Sequence, residues 1–403
     1  VTASATIAPP TRARAGAPRA LAMATAGFAI NFWAWALIAP LAPDLRDELG
    51  LSVVEQSLLV ALPVVVGSVG RIPVGALTDR YGGRIMFPLL SLATAVPVLA
   101  LTLAESFPAL LAVGFVLGLG GTTFAIGMPL LAGWYPPARR GLAFGIYGAG
   151  MGGTAVAAFT TVPLADRLGE DAPFLIVAAA LAGYAALAWL LLRDGPDRRP
   201  ATGSPLRASL QTLRLPATWH LAALYAVGFG GFVAFSVYLP AYLRNAYELA
   251  TSDAAARTAG FVVVAVVARP VGGWLSDRFH PATVLVAAFG TTAVLAVVTA
   301  FTPPLVPLGT VAFLGMAGCL GAAAGAVFAF VGQLAPADKV GAVTGMVGAA
   351  GGLGGFVPPL VMGGVFALDD SYAIGLMLLS DVALAAAVFT WLRLSGRIVT
   401  HRD

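Results

Sequence analysis

Two arginines stand where a charge is expensive. Arg71 opens the stretch Arg71-Ile-Pro-Val-Gly-Ala-Leu-Thr-Asp79-Arg80, and Arg269 opens Arg269-Pro-Val-Gly-Gly-Trp-Leu-Ser-Asp277-Arg278. The stretches are copies: Arg71 and Arg269, Gly75 and Gly273, Asp79 and Asp277, and Arg80 and Arg278 are each 198 positions apart. In each copy the aspartate follows the arginine by eight residues, a helical rise of about 12 Å. With the aspartates at a membrane surface, both guanidiniums fall well inside a hydrocarbon layer about 30 Å thick. A charge there is costly and marks a functional site by default. The chemistry it offers is anion binding. A guanidinium presents a planar fork of donors to an oxyanion and stays charged at any pH. The alternative is an ion pair with a buried acid, and the only carboxylate near mid-membrane in the apolar spans is Asp381.

The elements that must hold these arginines are legible in the composition. Of 403 residues, 59% are hydrophobic and 10% charged, and the mean hydropathy is +0.89. Soluble domains carry about 25% charged residues, so this is an all-α polytopic membrane protein. Twelve apolar spans are predicted, at 21–43, 57–78, 85–104, 107–133, 140–164, 173–193, 218–243, 258–276, 281–302, 305–333, 340–366 and 372–394, each long enough to cross a bilayer as a helix. With the N-terminus inside, the inner segments hold seventeen Lys/Arg and the outer segments only Arg46, Arg167, Arg244 and Arg257. The positive-inside rule then places both termini in the cytoplasm. Because the basic residues sit in short loops between spans, the net charge of +4 reports topology and gives no reason to expect nucleic acid. Residues 1–20 read as a disordered cytoplasmic tail, 21–193 as a first six-helix half, 194–217 as a cytoplasmic linker, 218–395 as a second half and 396–403 as a second tail. The repeat supports the division: Pro136, Gly141, Gly145 and Gly148 recur 200 positions later as Pro336, Gly341, Gly345 and Gly348. Parallel halves with a site between them are a common transporter plan. The lone Cys319 excludes an internal disulfide.

Three further groups of residues surround the arginines in the pattern. Asp79, Arg80 and Arg84 follow span two, and Asp277 and Arg278 follow span eight. Such a carboxylate can cap a neighbouring helix N-terminus, which suggests a conformational switch. Spans five and eleven are glycine-rich, with Gly145, Gly148, Gly150, Gly152 and Gly153 in one and Gly345, Gly348, Gly351, Gly352, Gly354 and Gly355 in the other. Small residues at these spacings let helix backbones approach closely, and for any single glycine, packing is the simplest reading. In span seven, Tyr225 and Phe229 share a helix face. Asn31, His220 and Asp381 are the remaining polar oddities; Asp381 is a candidate proton carrier, although a structural partner is the simpler account.

The stretch Gly75-Ala-Leu-Thr-Asp79-Arg80-Tyr-Gly82-Gly-Arg84 resembles the loop signature of the major facilitator superfamily, with Asp277-Arg278 its weaker echo. Gly348-Ala-Ala-Gly-Gly-Leu-Gly-Gly355 resembles the second signature of the nitrate/nitrite porters within it. The first signature departs at Gly153 and at Thr123, where that family usually carries asparagine. The resemblance implies that Arg71 and Arg269 clamp a planar anion, that Tyr225 donates to it, and that Phe229 and Phe124 stack around it, with Phe32 a weaker candidate. It implies nitrate transport, with nitrite, by alternating access in the inner membrane. No cofactor, metal or nucleotide motif accompanies the spans, and the chain is expected to be a monomer and not an enzyme. Nitrate/nitrite exchange is the leading expectation. Nitrate/proton symport and exchange of small organic anions such as formate or oxalate stay open. A drug/proton antiporter would want an acid in span one or four, and a membrane sensor would carry an output domain.

Overall fold

A computed structural model describes residues 13–202, 204–355 and 373–394. Regular structure among them is entirely helical. The first half contains α1 (Ala17–Trp35), α2 (Ile38–Leu49), α3 (Val53–Tyr81), α4 (Gly83–Ala100), α5 (Phe107–Leu117), α6 (Leu119–Thr122), α7 (Phe124–Ala132), α8 (Arg140–Gly148), α9 (Gly153–Leu168) and α10 (Ala172–Leu191). After α11 (Pro205–Thr212), the second half contains α12 (Pro216–Tyr247), α13 (Thr251–Phe279), α14 (Pro281–Ala300), α15 (Thr310–Leu334), α16 (Val340–Gly354) and α17 (Ala373–Leu394). Among the described residues, ten helical stretches are long and apolar enough to cross a membrane. The 32-residue α12 and the shorter α16 occupy the two other expected spans, and residues 356–366 of span eleven lie outside the described residues.

The expected boundaries shift in two places. Residues 17–20 belong to α1 rather than to a tail. Gly16 precedes the helix at φ 94°, and Pro18 fills its first turn, where its missing N–H leaves no bond unmade. Residues 1–12 and 396–403 lie outside the described residues. The linker 194–217 is not wholly irregular: it contains α11, which packs against α3 and α16, and α12 begins at Pro216.

Several spans are broken where the sequence weakens the helix. Span four divides at Gly118 and Thr123. Around the break, the Thr122 and Thr123 hydroxyls donate to the Leu119 and Gly120 carbonyls at 2.6 and 2.7 Å, competing with the backbone ladder. Span five passes through a 3-10 turn at Ala149–Gly152. Pro73 and Pro270 lie within a turn of the two arginines, and each removes a backbone donor from the helix interior. α3 is started firmly by a capping box. The Ser52 hydroxyl accepts from the Glu55 N–H at 3.2 Å, while the Glu55 carboxylate accepts from the Ser52 N–H at 2.9 Å.

The turns that follow α3 and α13 differ. Gly82 holds φ 88°, and the Asp194 carboxylate occupies the place of its Cβ. In the second half the equivalent position is His280, at φ 78°, whose Nδ1 accepts from the Ala282 N–H at 3.2 Å.

Candidate anion-binding site

The glycines explain how the two arginines reach the middle of the molecule. α3 packs along α16, and α13 along α8, so each arginine helix crosses a glycine helix of the opposite half. A Cβ on Gly75 would strike the Gly341 carbonyl, and one on Gly273 would strike the Gly141 carbonyl. A turn further on, a Cβ on Gly345 would strike the Arg71 carbonyl, and one on Gly145 would come within 2.7 Å of the Arg269 carbonyl. Only glycine permits these approaches. They bring Gly348 and Gly148 beside the two guanidiniums.

Arg71 is 3% exposed and Arg269 is 4% exposed. The Arg71 Nε donates to the Gly121 carbonyl at 3.1 Å, and its Nη1 donates to the Gly348 carbonyl, across the halves, at 2.8 Å. Arg269 makes one long bond, from Nη1 to the Gly148 carbonyl at 3.5 Å. Each guanidinium lies over an aromatic ring, Arg71 over Phe124 at 5.1 Å and Arg269 over Phe229 at 5.4 Å, within cation–π range. Among the described residues neither arginine pairs with a carboxylate. The ion pairs there are Arg14–Asp197, Arg198–Asp194 and Arg257–Asp253. Carbonyl dipoles and ring faces do not neutralise two buried cations, so the arrangement calls for an anion.

The aromatic side chains form one continuous stack. Tyr225, 1% exposed, lies parallel to Phe124 (6.5 Å, 5°) and to Phe229 (5.3 Å, 14°). Phe328 of α15 stands edge-on to Phe124 at 4.9 Å and to Tyr225 at 4.6 Å. Phe328 was not singled out in the sequence, where it is one apolar residue in an apolar helix.

The aspartates of the two copies make matching contacts across the halves. The Asp79 carboxylate accepts from the Gly341 and Ala342 N–H groups at 2.7 and 2.8 Å. The Asp277 carboxylate accepts from the Gly141 and Leu142 N–H groups, both at 2.8 Å. Each carboxylate thus satisfies orphan donors in the first turn of the facing glycine helix. Asp79 is 5% exposed and has Asp338 as a nearby like charge. Asp277 is half-buried with Arg139 near it. A third tie was not evident in the sequence. Arg140 donates to the Tyr135 and Ala132 carbonyls at 3.1 and 2.8 Å, and across the halves to Gly332 at 2.8 Å.

Other expected residues lie elsewhere. Arg80 and Arg278 stack on neighbouring rings, Tyr81 in one case and Trp274 and Phe279 in the other. The Arg84 backbone N–H donates to Asp194. It is Arg198, from the linker, that reaches the end of α3, donating to the Arg80 carbonyl at 2.7 Å. Gly150 and Gly153 pack on α1, against Phe28 and Ala29, while Gly351, Gly354 and Gly355 pack on α12. Gly152 meets almost nothing, and Gly352 faces Ser68 and Arg71. Phe32 packs on Phe28 at 4.3 Å and on Trp35 at 4.8 Å, and His220 packs on Phe389 at 5.1 Å. Asp381 does not approach the site. It is exposed on α17, because the helix turns that face outward together with Leu378, Val382 and Leu384. A cavity of about 1140 Å³ between α2, α5, α9 and α10 is lined by Asp44, Glu48, Glu105, Asp166, Glu170 and Asp171. That charge repels anions, so it is separate from the arginine site.

Comparison with known proteins shows the family. The family model described as Major Facilitator Superfamily matches residues 24–359. A protein of Mycobacterium tuberculosis named probable nitrate/nitrite transporter NarK2 is 49% identical over 374 residues, covering 92% of this chain and 95% of its own. The nitrite extrusion protein of Bacillus subtilis is 36% identical, covering 95% and 96%. A probable nitrate/nitrite antiporter, NarK1, of Thermus thermophilus is 34% identical, covering 94% and 91%. Among solved structures, the human organic anion transporter MFSD10 superposes with a TM-score of 0.77 at 14% identity, over 93% of this chain and 99% of that one. The likeness to that structure concerns the fold.

Proposed function

The chain belongs to the nitrate/nitrite porter family of the major facilitator superfamily, and we propose that it carries nitrate and nitrite across the inner membrane by exchanging one for the other at the Arg71/Arg269 site. The observation that carries this reading is the pair of buried guanidiniums, one from each half, with no carboxylate paired to either among the described residues. A planar oxyanion fits between two planar forks, with the rings of Phe124 and Phe229 behind them and the Tyr225 hydroxyl as a further donor. An empty site leaves two cations uncompensated, which raises the barrier to reorienting without an anion. Exchange follows without any titratable group, and the exposed position of Asp381, the candidate carrier, away from the arginines supports it.

Alternating access follows from the ties between the halves. In the arrangement seen here, Asp79, Asp277 and Arg140 hold the basic end shut, and that end faces the cytoplasm by the distribution of Lys and Arg. Opening inward means releasing both carboxylates from α16 and α8. The halves 21–193 and 218–395 act as the rocking bodies, both termini are cytoplasmic, and one monomer contains the whole site. Uptake of labelled nitrate into proteoliposomes tests the reading. Nitrite or nitrate inside should drive rapid counterflow, and formate or oxalate inside should not. Accumulation driven by a proton gradient alone, with no anion inside, would replace exchange by symport.

A further inference from the structure

Tyr147 is fully buried in α8, and its hydroxyl enters the backbone of another helix. It donates to the Thr123 carbonyl at 2.8 Å and accepts from the Gly127 N–H at 3.3 Å, with the Phe124 carbonyl at 3.1 Å. Thr123 and Gly127 are four apart, so an uninterrupted helix would join that carbonyl and that N–H directly. Here the phenol stands between them, and the Thr123 carbonyl accepts instead from the Ile126 N–H at 3.0 Å. A side chain inserted into the ladder is a recognised cause of a helix kink. Span four is broken at this residue, between α6 and α7. The fit is specific, because a Cβ on Gly127 would overlap the Tyr147 ring. The ring is held from behind by Phe28, stacked at 5.0 Å and 30°.

The first residue beyond the break is Phe124, the ring beneath Arg71. Tyr147 and Phe124 are themselves stacked, 6.2 Å apart at 21°. We propose that Tyr147 is a positioning residue for the anion site, its hydroxyl wedged into the fourth span so that α7 presents Phe124 to Arg71 and to the anion that Arg71 holds. This rests on the reading of Arg71 and Phe124 as part of the nitrate site. Without the hydroxyl, the Gly127 N–H can close directly on the Thr123 carbonyl, the 3-10-type turn becomes a regular α turn, and Phe124 rotates away from the guanidinium.

The test is a double-mutant cycle in proteoliposomes, reading nitrate counterflow for Tyr147→Phe, Phe124→Leu and the pair. Tyr147→Phe should raise KM about three- to tenfold, the size expected for one buried hydrogen bond, with the maximal rate little changed. In the Phe124→Leu background the same substitution should add nothing, since coupled sites are non-additive. Gly127→Ala, which displaces the ring from the other side, should raise KM in the same direction, and it carries the test if Tyr147→Phe does not accumulate. An unchanged KM in Tyr147→Phe, or effects that multiply in the pair, would overturn the proposal. A Phe124→Leu protein with normal KM would instead overturn the reading of the site on which the proposal rests.

Discussion

The two arginines are copies in sequence but not in setting. Arg71 is fastened by two carbonyls, at 3.1 and 2.8 Å, the second from the opposite half, while Arg269 has one hydrogen bond, at 3.5 Å. The aspartates follow suit: Asp79 is almost fully buried, and Asp277 is half-exposed beside Arg139. Duplication has preserved the backbone crossings and let the surroundings drift. A firmly held guanidinium presents a fixed fork, whereas a loosely held one can move toward an arriving anion. With the anion held between the two arginines as proposed, the first half would fix its orientation and the second half would adjust to it.

The largest expected effect comes from removing either fork. Arg71→Lys and Arg269→Lys should each cut nitrate uptake about 100-fold or more, since charged hydrogen bonds are worth about 1.5–3 kcal/mol each and a lysine cannot bind bidentately. Only Arg71→Lys should also lower the Tm, because only Arg71 is tied into the fold by two short bonds. Equal Tm losses in the two variants would break the comparison. Next come the crossings. Gly345→Ala drives a methyl into the Arg71 carbonyl and should lower uptake about tenfold or more, in keeping with overpacking costs of about 1–3 kcal/mol. Gly152→Ala, with nothing nearer than 4.0 Å, should transport as the parent does. A tolerant Gly345→Ala would mean that the close approach is not maintained in the transport cycle.

Tyr225→Phe sharpens the picture of the site itself. It keeps the stack and removes one donor to a charged ligand, so the apparent affinity for nitrate should fall about tenfold without loss of transport. An unaltered affinity would take the hydroxyl out of contact with the anion. The smallest loss is expected from the aspartates. Asparagine retains one acceptor oxygen, so the tie at the basic end is weakened rather than lost and fewer molecules stand open to the outside; uptake by Asp79→Asn should fall about two- to fivefold, and that by Asp277→Asn by less, as its bonds compete with solvent. Labelling of a cysteine placed between the halves at the basic end should rise in the same order.

What the sequence reveals of this site depends on the kind of signal each residue leaves. Arg71 and Arg269 stand out because a charge in an apolar run is anomalous by itself, and the 198-residue repeat pairs them. Tyr225 and Phe229 follow from helical spacing together with the family resemblance. Tyr147, Phe328 and Arg140 leave no such mark: their partners are backbone groups or rings in distant helices, such as the Thr123, Gly127 and Gly332 backbone. Asp381 shows the limit of such a signal. A carboxylate in mid-span is conspicuous, but the direction it faces is decided by packing, and α17 turns it outward. The helical character and the twelve-span plan were legible because hydropathy is summed over many residues. The start of α1 at Ala17 and the presence of α11 turn on a few residues each and were not.

The backbone crossings have a consequence for the speed of the cycle. Most packed helices interlock, with side-chain ridges of one seated in grooves of the other, and sliding them means lifting those ridges over one another. Where Gly75 meets Gly341 and Gly273 meets Gly141, there are no ridges to lift. The two crossings behave as smooth bearings, and the resistance to turning resides in the hydrogen bonds across the halves, those of Asp79, Asp277 and Arg140 among them. The activation barrier is then set by hydrogen bonds that water can replace as they break, rather than by interdigitated packing, for which water offers no substitute.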